Sequence, residues 1–561
     1  MTTQSLPRTQ HAVQLVGPGE LVLNASKEVP EPTAHEILAK VEAVGLCFSD
    51  LKLLKQFSQH ARKSEVVGGI PPEVLSTMRN YVPNDKPTVP GHEVVCRIVA
   101  VGPQVKHHKV GERCLVQTDY RFLPTANSNA AFGYNFEGGL QEYFLIDERV
   151  VIEPETGERF LIPVKEDLPR SAVALVEPWA CVEDSYVNEE RQCIRAGGKL
   201  LVVADAGHAV KGLAAAFCHQ GKPAAVTHLL AEAAQLAAVE ALGVLARKAS
   251  SIESLPFEEF DDIVYFGASR ATIEALNDKL APRGIFNLVL GGKKVGEPAN
   301  IGVGRIHYGM TRWTGTTGDD ASEAYKGIPR DGEVRDGDSV LVIGAGGPMG
   351  QMHVIRDICS GKKHLKVIAT DLDSSRLAAL DRKAKPMADA NKVEYKTINT
   401  KETPLTGEYS YIALMAPVPA LVADAVKRSA PGAIINIFAG IPAPVKHPID
   451  LDTYVERRAF MFGTSGSRIE DMKIVLDKVT GGSLNTNSSV DAVSGMAGAM
   501  KGLEAVEKAT LAGKIIVYPQ LHELGLTPLS ELKDKFPTVA AKLADGQWCR
   551  EAEDELLKVA K

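Results

Sequence analysis

The sequence predicts an α/β protein in which a β-rich N-terminal region precedes two strand–helix repeats. Three observations support this fold class: short alternating apolar runs before residue 50, a glycine-rich turn between apolar strands near residue 345, and an upstream stretch that repeats the second pattern. Alternating apolar and polar residues are typical of half-buried strands, whereas strands that alternate with helices are typical of parallel sheets. A chain of 561 residues is long enough for about three or four domains.

The N-terminal region, residues 1–190, is predicted to be mostly β-structure. His11–Val16 and Glu36–Val44 are apolar runs separated by turns, which favours strands over a strand–helix unit. Motifs with polar and small residues follow these runs, and we expect the chemistry to lie in them. The motifs are Gly45–Asp50, Pro90–Val95, Val110–Val116, Gly138–Tyr143 and Val176–Cys181.

These motifs contain residues suited to metal chemistry. A catalytic zinc takes about three protein ligands and leaves a position open for substrate or water. Asp50 could orient a ligating histidine, and Ser49 could relay a hydroxyl proton. Each residue alone has an ordinary interpretation, such as a buried thiol or a turn with a solvated acid. The candidate zinc ligands are Cys47, His92, Glu93 and Glu177.

Residues 194–333 repeat the pattern of residues 334–485. Gly198–Val210 aligns with Asp338–Gly350, and later strands align in the same order, which indicates an internal duplication. The first copy lacks most glycines of the second, and Asp205 places negative charge where a pyrophosphate would lie. We therefore expect a degenerate copy without cofactor; a regulatory nucleotide pocket in it is the alternative.

The second copy carries a dinucleotide-binding pattern of strand, glycine-rich turn, helix, strand and acid over residues 338–371. Such a turn lets backbone N–H groups approach a pyrophosphate at a helix N-terminus, although Ala345 occupies the first glycine position of the strict motif. A carboxylate at Asp371 can accept hydrogen bonds from both ribose hydroxyls and would repel a 2′-phosphate, so NAD(H) is favoured over NADP(H). The candidate cofactor-binding residues of the turn are Gly344, Gly346, Gly347, Pro348, Met349 and Gly350.

The C-terminal part is predicted to return to the first domain and to end in a helical tail. Residues 486–519 end in an apolar strand, and residues 520–561 hold Leu529, Leu532 and Phe536 at helical spacing. We expect two short helices there, with Trp548, Leu556 and Leu557 as anchors.

The motifs together resemble the medium-chain, zinc-dependent alcohol and polyol dehydrogenases. Several segments are similar to the sorbose-1-phosphate reductase branch of that superfamily, among them Phe132–Gly139, Leu175–Cys181, Gly463–Gly466 and Gly513–Tyr518. The resemblance implies a GroES-like catalytic domain and a Rossmann cofactor domain, with a second, degenerate Rossmann-like domain inserted between them. It places the active site between the catalytic and cofactor domains.

The resemblance also implies roles for single residues. Cys47, His92 and Glu93 map onto the family's zinc motif, and Glu177 maps onto a ligand or a water-bridged neighbour, so which glutamate completes the shell stays open. Thr464 is implied to contact the cofactor. Residues 115–137 lack the four-cysteine lobe of many relatives, so we predict one catalytic zinc and no structural zinc. Lys52 stands where many relatives have a histidine, so any proton relay takes another route.

Composition and charge exclude several classes of protein. The net charge of −7 and the absence of long basic runs argue against nucleic acid as a partner, and no apolar run is long enough for a membrane helix. The start of the chain does not resemble a signal peptide. The eight cysteines are scattered without a C-x-x-C pair, which predicts free thiols in a reducing, cytoplasmic compartment.

We therefore expect reversible hydride transfer between NAD(H) and a secondary alcohol or ketone of a polyol, sugar or sugar phosphate. The alternatives are an epimerase or lyase that uses zinc and transient hydride transfer, and a catalytically silent NAD-binding protein. Cations between the cysteine and histidine motifs could bind a substrate phosphate, or they form a solvated basic loop; they are Lys52, Lys55, His60, Arg62 and Lys63. In the resembled family, subunits pair through the edges of their cofactor sheets. A degenerate copy that covers this edge predicts a monomer, or a homodimer that uses another surface.

Overall fold

The computed structural model describes residues 6–560, and the chain divides into two compact units. The first unit combines the segment that ends at Glu183 with the segment that begins at Gly466, and the second unit is Asp184–Ser465. Within residues 6–560, no helix combines the length and the apolar character that a bilayer crossing needs.

The N-terminal segment of the first unit is β-rich, as predicted. It has the strands β1 (Thr9–Gly17), β2 (Glu20–Glu28), β3 (Glu36–Gly45), β4 (Glu93–Val101), β5 (Arg113–Val116), β6 (Asp119–Pro124), β7 (Asn129–Ala131), β8 (Tyr143–Asp147) and β9 (Leu161–Pro163). Its helices are α1 (Phe48–Gln56), α2 (Pro72–Leu75), α3 (Arg170–Ala174) and α4 (Val176–Val187). The long, largely buried β3 lies between β4 and β8 and pairs antiparallel with both.

The second unit opens with the first of two similar parallel sheets. The strands are β10 (Lys199–Ala204), β11 (Ala225–Leu230), β12 (Ala246–Lys248), β13 (Phe260–Phe266), β14 (Leu280–Val289), β15 (Ala299–Ile301) and β16 (Arg312–Thr316). The helices are α5 (Ala233–Glu240), α6 (Arg270–Asn277), α7 (Val303–Tyr308) and α8 (Ala321–Lys326). The sheet order is β12-β11-β10-β13-β14-β16, and all of its described pairings are parallel.

The next stretch repeats this arrangement. Its strands are β17 (Ser339–Ile343), β18 (Lys366–Asp371), β19 (Glu394–Asn399), β20 (Tyr409–Leu414), β21 (Ser429–Ile437), β22 (His447–Ile449) and β23 (Phe460–Phe462), and its helices are α9 (Pro348–Ile358), α10 (Ser374–Asn391), α11 (Pro419–Arg428) and α12 (Leu451–Glu456). The order β19-β18-β17-β20-β21-β23 matches that of the first sheet. Both follow the 3-2-1-4-5-6 order of dinucleotide-binding folds, so the predicted fold class is confirmed.

The two repeats pack against each other inside the second unit. β15 pairs antiparallel with β22. At the sheet edges, the Tyr454 hydroxyl donates to the backbone oxygen of Trp313 at 2.7 Å, and the Arg312 guanidinium donates to that of Gly463 at 3.1 Å. Side chains of both repeats form one apolar core, which includes Leu201, Ile263, Leu288, Leu341, Ile412 and Ile435.

The C-terminal segment completes the first unit. It contains α13 (Ile469–Thr480), β24 (Val490–Ser494), α14 (Met496–Glu507), β25 (Lys514–Val517), β26 (Thr527–Pro528), α15 (Leu532–Lys535), α16 (Pro537–Ala540) and α17 (Arg550–Val559). β25 pairs antiparallel with β3, so these strands extend the sheet of the N-terminal segment. Residues 466–485, which the sequence analysis assigned to the cofactor domain, group with the first unit, where Lys478 contacts Glu183 at 2.6 Å.

The helical tail is held by a buried carboxylate. Glu553 accepts hydrogen bonds from the backbone N–H groups of Arg170 (2.6 Å) and Ser171 (2.8 Å) at the start of α3. The Tyr518 hydroxyl also donates to Glu553 at 2.8 Å, and buried Trp548 donates to that hydroxyl oxygen at 3.1 Å. An acid at a helix N-terminus satisfies backbone donors that have no partner within the helix.

The expectation that all cysteines are free is wrong for one pair. Cys193 and Cys218 form a disulfide with their Cα atoms 5.0 Å apart, whereas the other six cysteines are free. Backbone pairing of Ile194 with Phe217 brings the two residues side by side. This distance lies in the range that a disulfide needs, but a separation of 25 residues gives no sequence signal for it.

We expect no dimer through the edge strands β16 and β23, because each faces the other repeat within the same chain. Sedimentation velocity of the full chain should show a monomer, or a dimer whose interface lies elsewhere. Hydrogen exchange at several protein concentrations locates any interface. Concentration-dependent protection confined to residues 312–316 and 460–462 would contradict the expectation.

Candidate metal and cofactor sites

Sheet register brings the first three candidate ligands together. Gly45, at the end of β3, lies opposite Glu93, at the start of β4. Cys47 caps the N-terminus of α1 two residues later, and His92 directly precedes β4. One ligand atom from each of Cys47, His92 and Glu93 lies within 4.8 Å of the others. A Cβ at position 45 would collide with the Glu93 carboxylate, so glycine leaves the space that this buried side chain occupies.

Asp50 fixes the orientation of the histidine. Its Oδ1 lies 2.9 Å from Nδ1 of His92, and its Oδ2 accepts a hydrogen bond from the backbone N–H of Cys47 at 3.1 Å. Nε2 of His92 is thereby directed towards Ser49 Oγ, 3.1 Å away, which also lies 3.1 Å from Cys47 Sγ. Burial disfavours the imidazolium, but the Asp50 carboxylate outweighs it and raises the pKa of His92 well above its usual value.

A buried lysine that the sequence analysis did not identify neutralises Glu93. Lys514 opens β25, forms an ion pair with Glu93 Oε1 and donates to the backbone oxygen of Leu46 at 2.8 Å. Burial opposes the charge, but Glu93 outweighs it and raises the pKa of Lys514. Among the described residues, nothing donates a hydrogen bond to Glu93 Oε2, although it is buried. The signal in the sequence is a lysine directly before the apolar run 515–517.

Glu177 lies near this group but is not one of the three residues that converge. It sits in the first turn of α4, and Cys181, one turn later, donates to its Oε1 at 3.8 Å. Burial raises the pKa of Glu177 to about 7; the charges of His92 and Lys514 lower it, and that of Glu93 raises it. Glu177 is therefore a buried acid beside the ligands, in agreement with either role that the resemblance implied.

Most of the candidate phosphate-binding cations have structural partners. Lys63 is buried and donates to the backbone oxygens of Val82 and Lys86, and burial lowers its pKa to about 7. Lys55 pairs with Glu507 at 2.8 Å on the surface. His60 Nδ1 accepts from the backbone N–H of Arg62 at 3.2 Å, and burial lowers the pKa of His60 to about 4.

Arg62 is the candidate cation whose charge interacts with Glu177. It pairs with Asp119 at 2.5 Å, and its guanidinium carbon lies 5.6 Å from the Tyr134 ring centre. Burial opposes its charge, but Asp119, Tyr134 and Glu177 outweigh it and raise the pKa of Arg62. The Tyr134 ring centre also lies 6.0 Å from that of His92.

In the second unit, two glycines of the turn after β17 are required by its backbone geometry. Gly344 has a φ of +82°, which strains other residues, and a Cβ at Gly350 would collide with backbone atoms of Gly344. A Cβ at Gly347, the N-cap of α9, would meet nothing within 4 Å, so space is open beside the start of the helix. Pro348 and Met349 form the first turn of that helix.

Asp371 ends β18 beside this turn. Its Oδ2 accepts a hydrogen bond from the backbone N–H of Gly346 at 2.9 Å, and its Oδ1 accepts one from Leu372 at 2.7 Å. A Cβ at Gly346 would lie 2.8 Å from that carboxylate, so only glycine allows this contact without displacement.

Thr464 is buried, and its Oγ1 has no hydrogen-bond partner among the described residues.

The corresponding turn of the first repeat is built differently. After β10 the chain forms only a short 3-10 turn at Ala214–Ala216, so no α-helix directs its N-terminus at the turn. Asp205 accepts a hydrogen bond from the Tyr265 hydroxyl at 2.6 Å, and the Gln235 amide donates to the backbone oxygen of Asp205 at 2.8 Å. Glu232, two residues beyond the end of β11, accepts a hydrogen bond from the backbone N–H of Gly207 at 2.7 Å.

The donor sets fit the groups that the sequence analysis predicted. A thiol, an imidazole and carboxylates are the ligand types that zinc prefers, and the unpaired Glu93 Oε2 is an acceptor without a donor. The glycine-rich turn, the helix start and the acid at the end of β18 are features of a dinucleotide site.

Comparisons with known proteins identify similar domains and sequences. Residues 33–155 match the alcohol dehydrogenase GroES-like domain. An uncharacterized Escherichia coli K12 protein, YggP, is 26% identical over 334 residues, which cover 53% of this chain and 72% of that protein. Mannitol-1-phosphate 5-dehydrogenase of Aliivibrio fischeri is 24% identical over 62% of this chain and 85% of its own length, and L-sorbose 1-phosphate reductase of Klebsiella pneumoniae is 24% identical over 55% and 76%.

A solved structure shows the same fold. The 2R,3R-butanediol dehydrogenase of Bacillus subtilis aligns over 91% of this chain and all of its own, with a TM-score of 0.51 and 14% sequence identity. At that identity the likeness concerns the fold alone.

The Lys514–Glu93 pair yields a stability prediction. Lys514→Met leaves a buried carboxylate without its cation and should lower the free energy of unfolding of the first unit by about 3 kcal/mol. Glu93→Gln on the Lys514→Met background should recover part of that loss, because the uncompensated charge is removed. Urea unfolding in the presence of a chelator measures the free energies of unfolding of the wild type, Lys514→Met and the double variant. Lys55→Met, which breaks an exposed ion pair, is the control and should cost less than about 1 kcal/mol. Equal losses in the single and double variants would show that the pair is not coupled.

Proposed function

We propose that this chain, a member of the medium-chain alcohol and polyol dehydrogenase superfamily, is a zinc-dependent, NAD(H)-linked oxidoreductase of sugar-like substrates. It would transfer a hydride between the cofactor and a secondary alcohol or ketone of a polyol, sugar or sugar phosphate. The observation that carries the proposal is the convergence of Cys47, His92 and Glu93 within 4.8 Å.

Cys47 and His92 would hold the metal, with Glu93 or Glu177 completing its shell. When bound there, zinc polarises an oxygen and lowers the pKa of a hydroxyl towards neutrality. The chain's own residues prepare the ligands for this role. Asp50 holds Nδ1 of His92, so that Nε2 is presented on the side of Cys47 and Ser49.

Ser49 is the residue best placed to take up a hydroxyl proton. Its Oγ contacts both Cys47 and His92, and it is only half-buried. Tyr134 hydrogen-bonds to Ser49, and the Tyr134 ring centre lies 5.0 Å from that of His60. These side chains offer a proton route that does not need a histidine at position 52.

The cofactor would bind at the turn after β17. The nicotinamide supplies the hydride acceptor or donor, and the protein supplies its position. Backbone N–H groups at the start of α9 would face the pyrophosphate, and Asp371 would accept hydrogen bonds from the adenosine ribose. Thr464 offers a buried hydroxyl without a partner among the described residues.

Two relatives support a phosphorylated substrate. Mannitol-1-phosphate 5-dehydrogenase and L-sorbose 1-phosphate reductase both carry sugar-phosphate substrates in their names. Arg62 is the cation best placed to meet a phosphate, because its side chain is 27% exposed and it interacts with Glu177. Both terminal nitrogens of Arg62 already contact Asp119, at 3.2 and 2.5 Å, so a phosphate would share this guanidinium with that carboxylate. The cytoplasmic location and the oligomeric state stay predictions from the sequence.

An absorbance screen for NADH tests the proposal. Zinc-loaded protein should reduce NAD with at least one polyol or its phosphate, or oxidise NADH with the matching ketose. Cys47→Ser should lower kcat/KM by about a thousandfold, because it removes a metal ligand. Cys549→Ser, which changes a thiol in the tail, is the matched control and should retain activity. Turnover that is equal in Cys47→Ser and wild type would refute the metal-dependent mechanism. Product formation without net NADH would instead indicate an epimerase or lyase.

Asp371 yields a prediction about cofactor choice. Asp371→Ser removes the carboxylate that favours a free 2′-hydroxyl, so the ratio of kcat/KM for NADP to that for NAD should rise about tenfold or more. Steady-state kinetics with both cofactors measures the ratio. Glu402→Gln changes an exposed acid that follows β19 and should leave the ratio unchanged. An unchanged ratio in Asp371→Ser would mean that another residue selects the cofactor.

A further inference from the structure

Three polar side chains from distant parts of the first unit converge on its surface, away from the Cys47 group in sequence. They are His11 in β1, Glu142 just before β8, and His522 in the segment after β25. One ligand atom from each lies within 4.8 Å of the others. No comparison and no step of the proposed function gives these residues a role.

The glutamate carboxylate lies between the two imidazoles. His522 Nε2 is 3.0 Å from Glu142 Oε1, and His11 Nδ1 is 3.7 Å from Glu142 Oε2. The two histidine rings are 3.9 Å apart between centroids and inclined by 34°. Side-chain exposures of 27% for His11, 13% for Glu142 and 42% for His522 leave the group accessible to an ion from solvent.

Backbone contacts hold all three positions in place before any ion binds. The N–H of His11 donates to Glu142 Oε2 at 2.8 Å, which fixes the carboxylate. The N–H of Glu142 donates to the oxygen of His11 at 3.3 Å, and the oxygen of His522 accepts from Ala497 in α14 at 3.1 Å. Because the backbone positions and the Glu142 carboxylate are held beforehand, ion binding would have to order only the two imidazole side chains.

The geometry points to a second metal site, and we propose that His11, Glu142 and His522 bind a zinc ion or a similar transition-metal ion. A tetrahedral zinc with bonds of about 2.0–2.2 Å separates its ligand atoms by roughly 3.3–3.6 Å, so ligand atoms within 4.8 Å of one another need move only a short way to share one ion. Two imidazoles and one carboxylate favour zinc over calcium or magnesium, which bind mainly oxygen ligands. The three residues leave at least one coordination position for water.

Such an ion would crosslink the fold, which departs from the expectation from the sequence of one catalytic zinc and no structural zinc. It joins the N-terminal hairpin β1–β2 to the β8 side of the sheet and to the segment that follows β25. His11 and Glu142 are 131 residues apart, and His522 lies far beyond both. A metal that closes long loops stabilises a fold by restricting the unfolded chain, so the role would be structural.

Zinc content and thermal unfolding test the proposal on the full chain. In the Cys47→Ser background, which disables the other candidate site, protein equilibrated with zinc and freed of excess should retain about one zinc per chain, and zinc should raise the unfolding midpoint by about 5 °C. His522→Ala or Glu142→Gln in the same background should abolish both effects. His107→Ala, which removes an exposed histidine outside the group, is the control and should preserve them.

Cobalt substitution distinguishes the two sites in the unmutated chain. A site with the Cys47 thiolate gives a sulfur charge-transfer band in the near ultraviolet, whereas the histidine and glutamate site gives visible bands alone. His522→Ala should reduce the visible absorption and the cobalt content by about one ion per chain, keep the charge-transfer band and leave enzyme activity unchanged. Zinc content and midpoint shifts that are equal with and without His522 would overturn the proposal, whatever the outcome for the Cys47 site.

Discussion

The ion pair between Lys514 and Glu93 is the interaction on which the candidate metal site depends. Asp50, Glu93 and Glu177 are all buried within a short distance of one thiol and one imidazole. Carboxylates in such surroundings are costly unless cations or hydrogen bonds compensate them. Lys514 compensates one of them, and a divalent ion is suited to compensate the remaining negative charge. The same charges that prepare the site for metal therefore limit its stability without one.

The two similar parallel sheets of the second unit affect how their edges are covered. A sheet edge exposes unpaired backbone groups and invites pairing with another chain. Here the edges of two similar sheets face each other within one unit, and β15 pairs with β22 across them. The first repeat lacks the glycine-rich turn and the helix that follows it in the second repeat. It has the same order of strands, and these contribute to the common core.

The fold was largely predictable because its signals are local and repeated. Alternating apolar residues predicted β3, and the glycine-rich turn together with Asp371 predicted the parallel sheet of the second repeat. Features that depend on distant segments left no such signal. The Cys193–Cys218 bond, the grouping of residues 466–485 with the first unit, and the tail carboxylate Glu553 became evident only when separate strands and helices were brought together.

The candidate site also has features that the sequence determines and features that only the tertiary structure shows. The sequence by itself determined the residue types, Cys47, His92 and Glu93, and the order of their motifs ahead of a nucleotide fold. Only the tertiary structure decided which of them converge and that Lys514 neutralises Glu93. The reason is physical, because the sequence specifies the chemistry of each residue but not the distances between residues. The distance between two charges determines their interaction energy, and it is set by strand register and by packing between segments hundreds of residues apart.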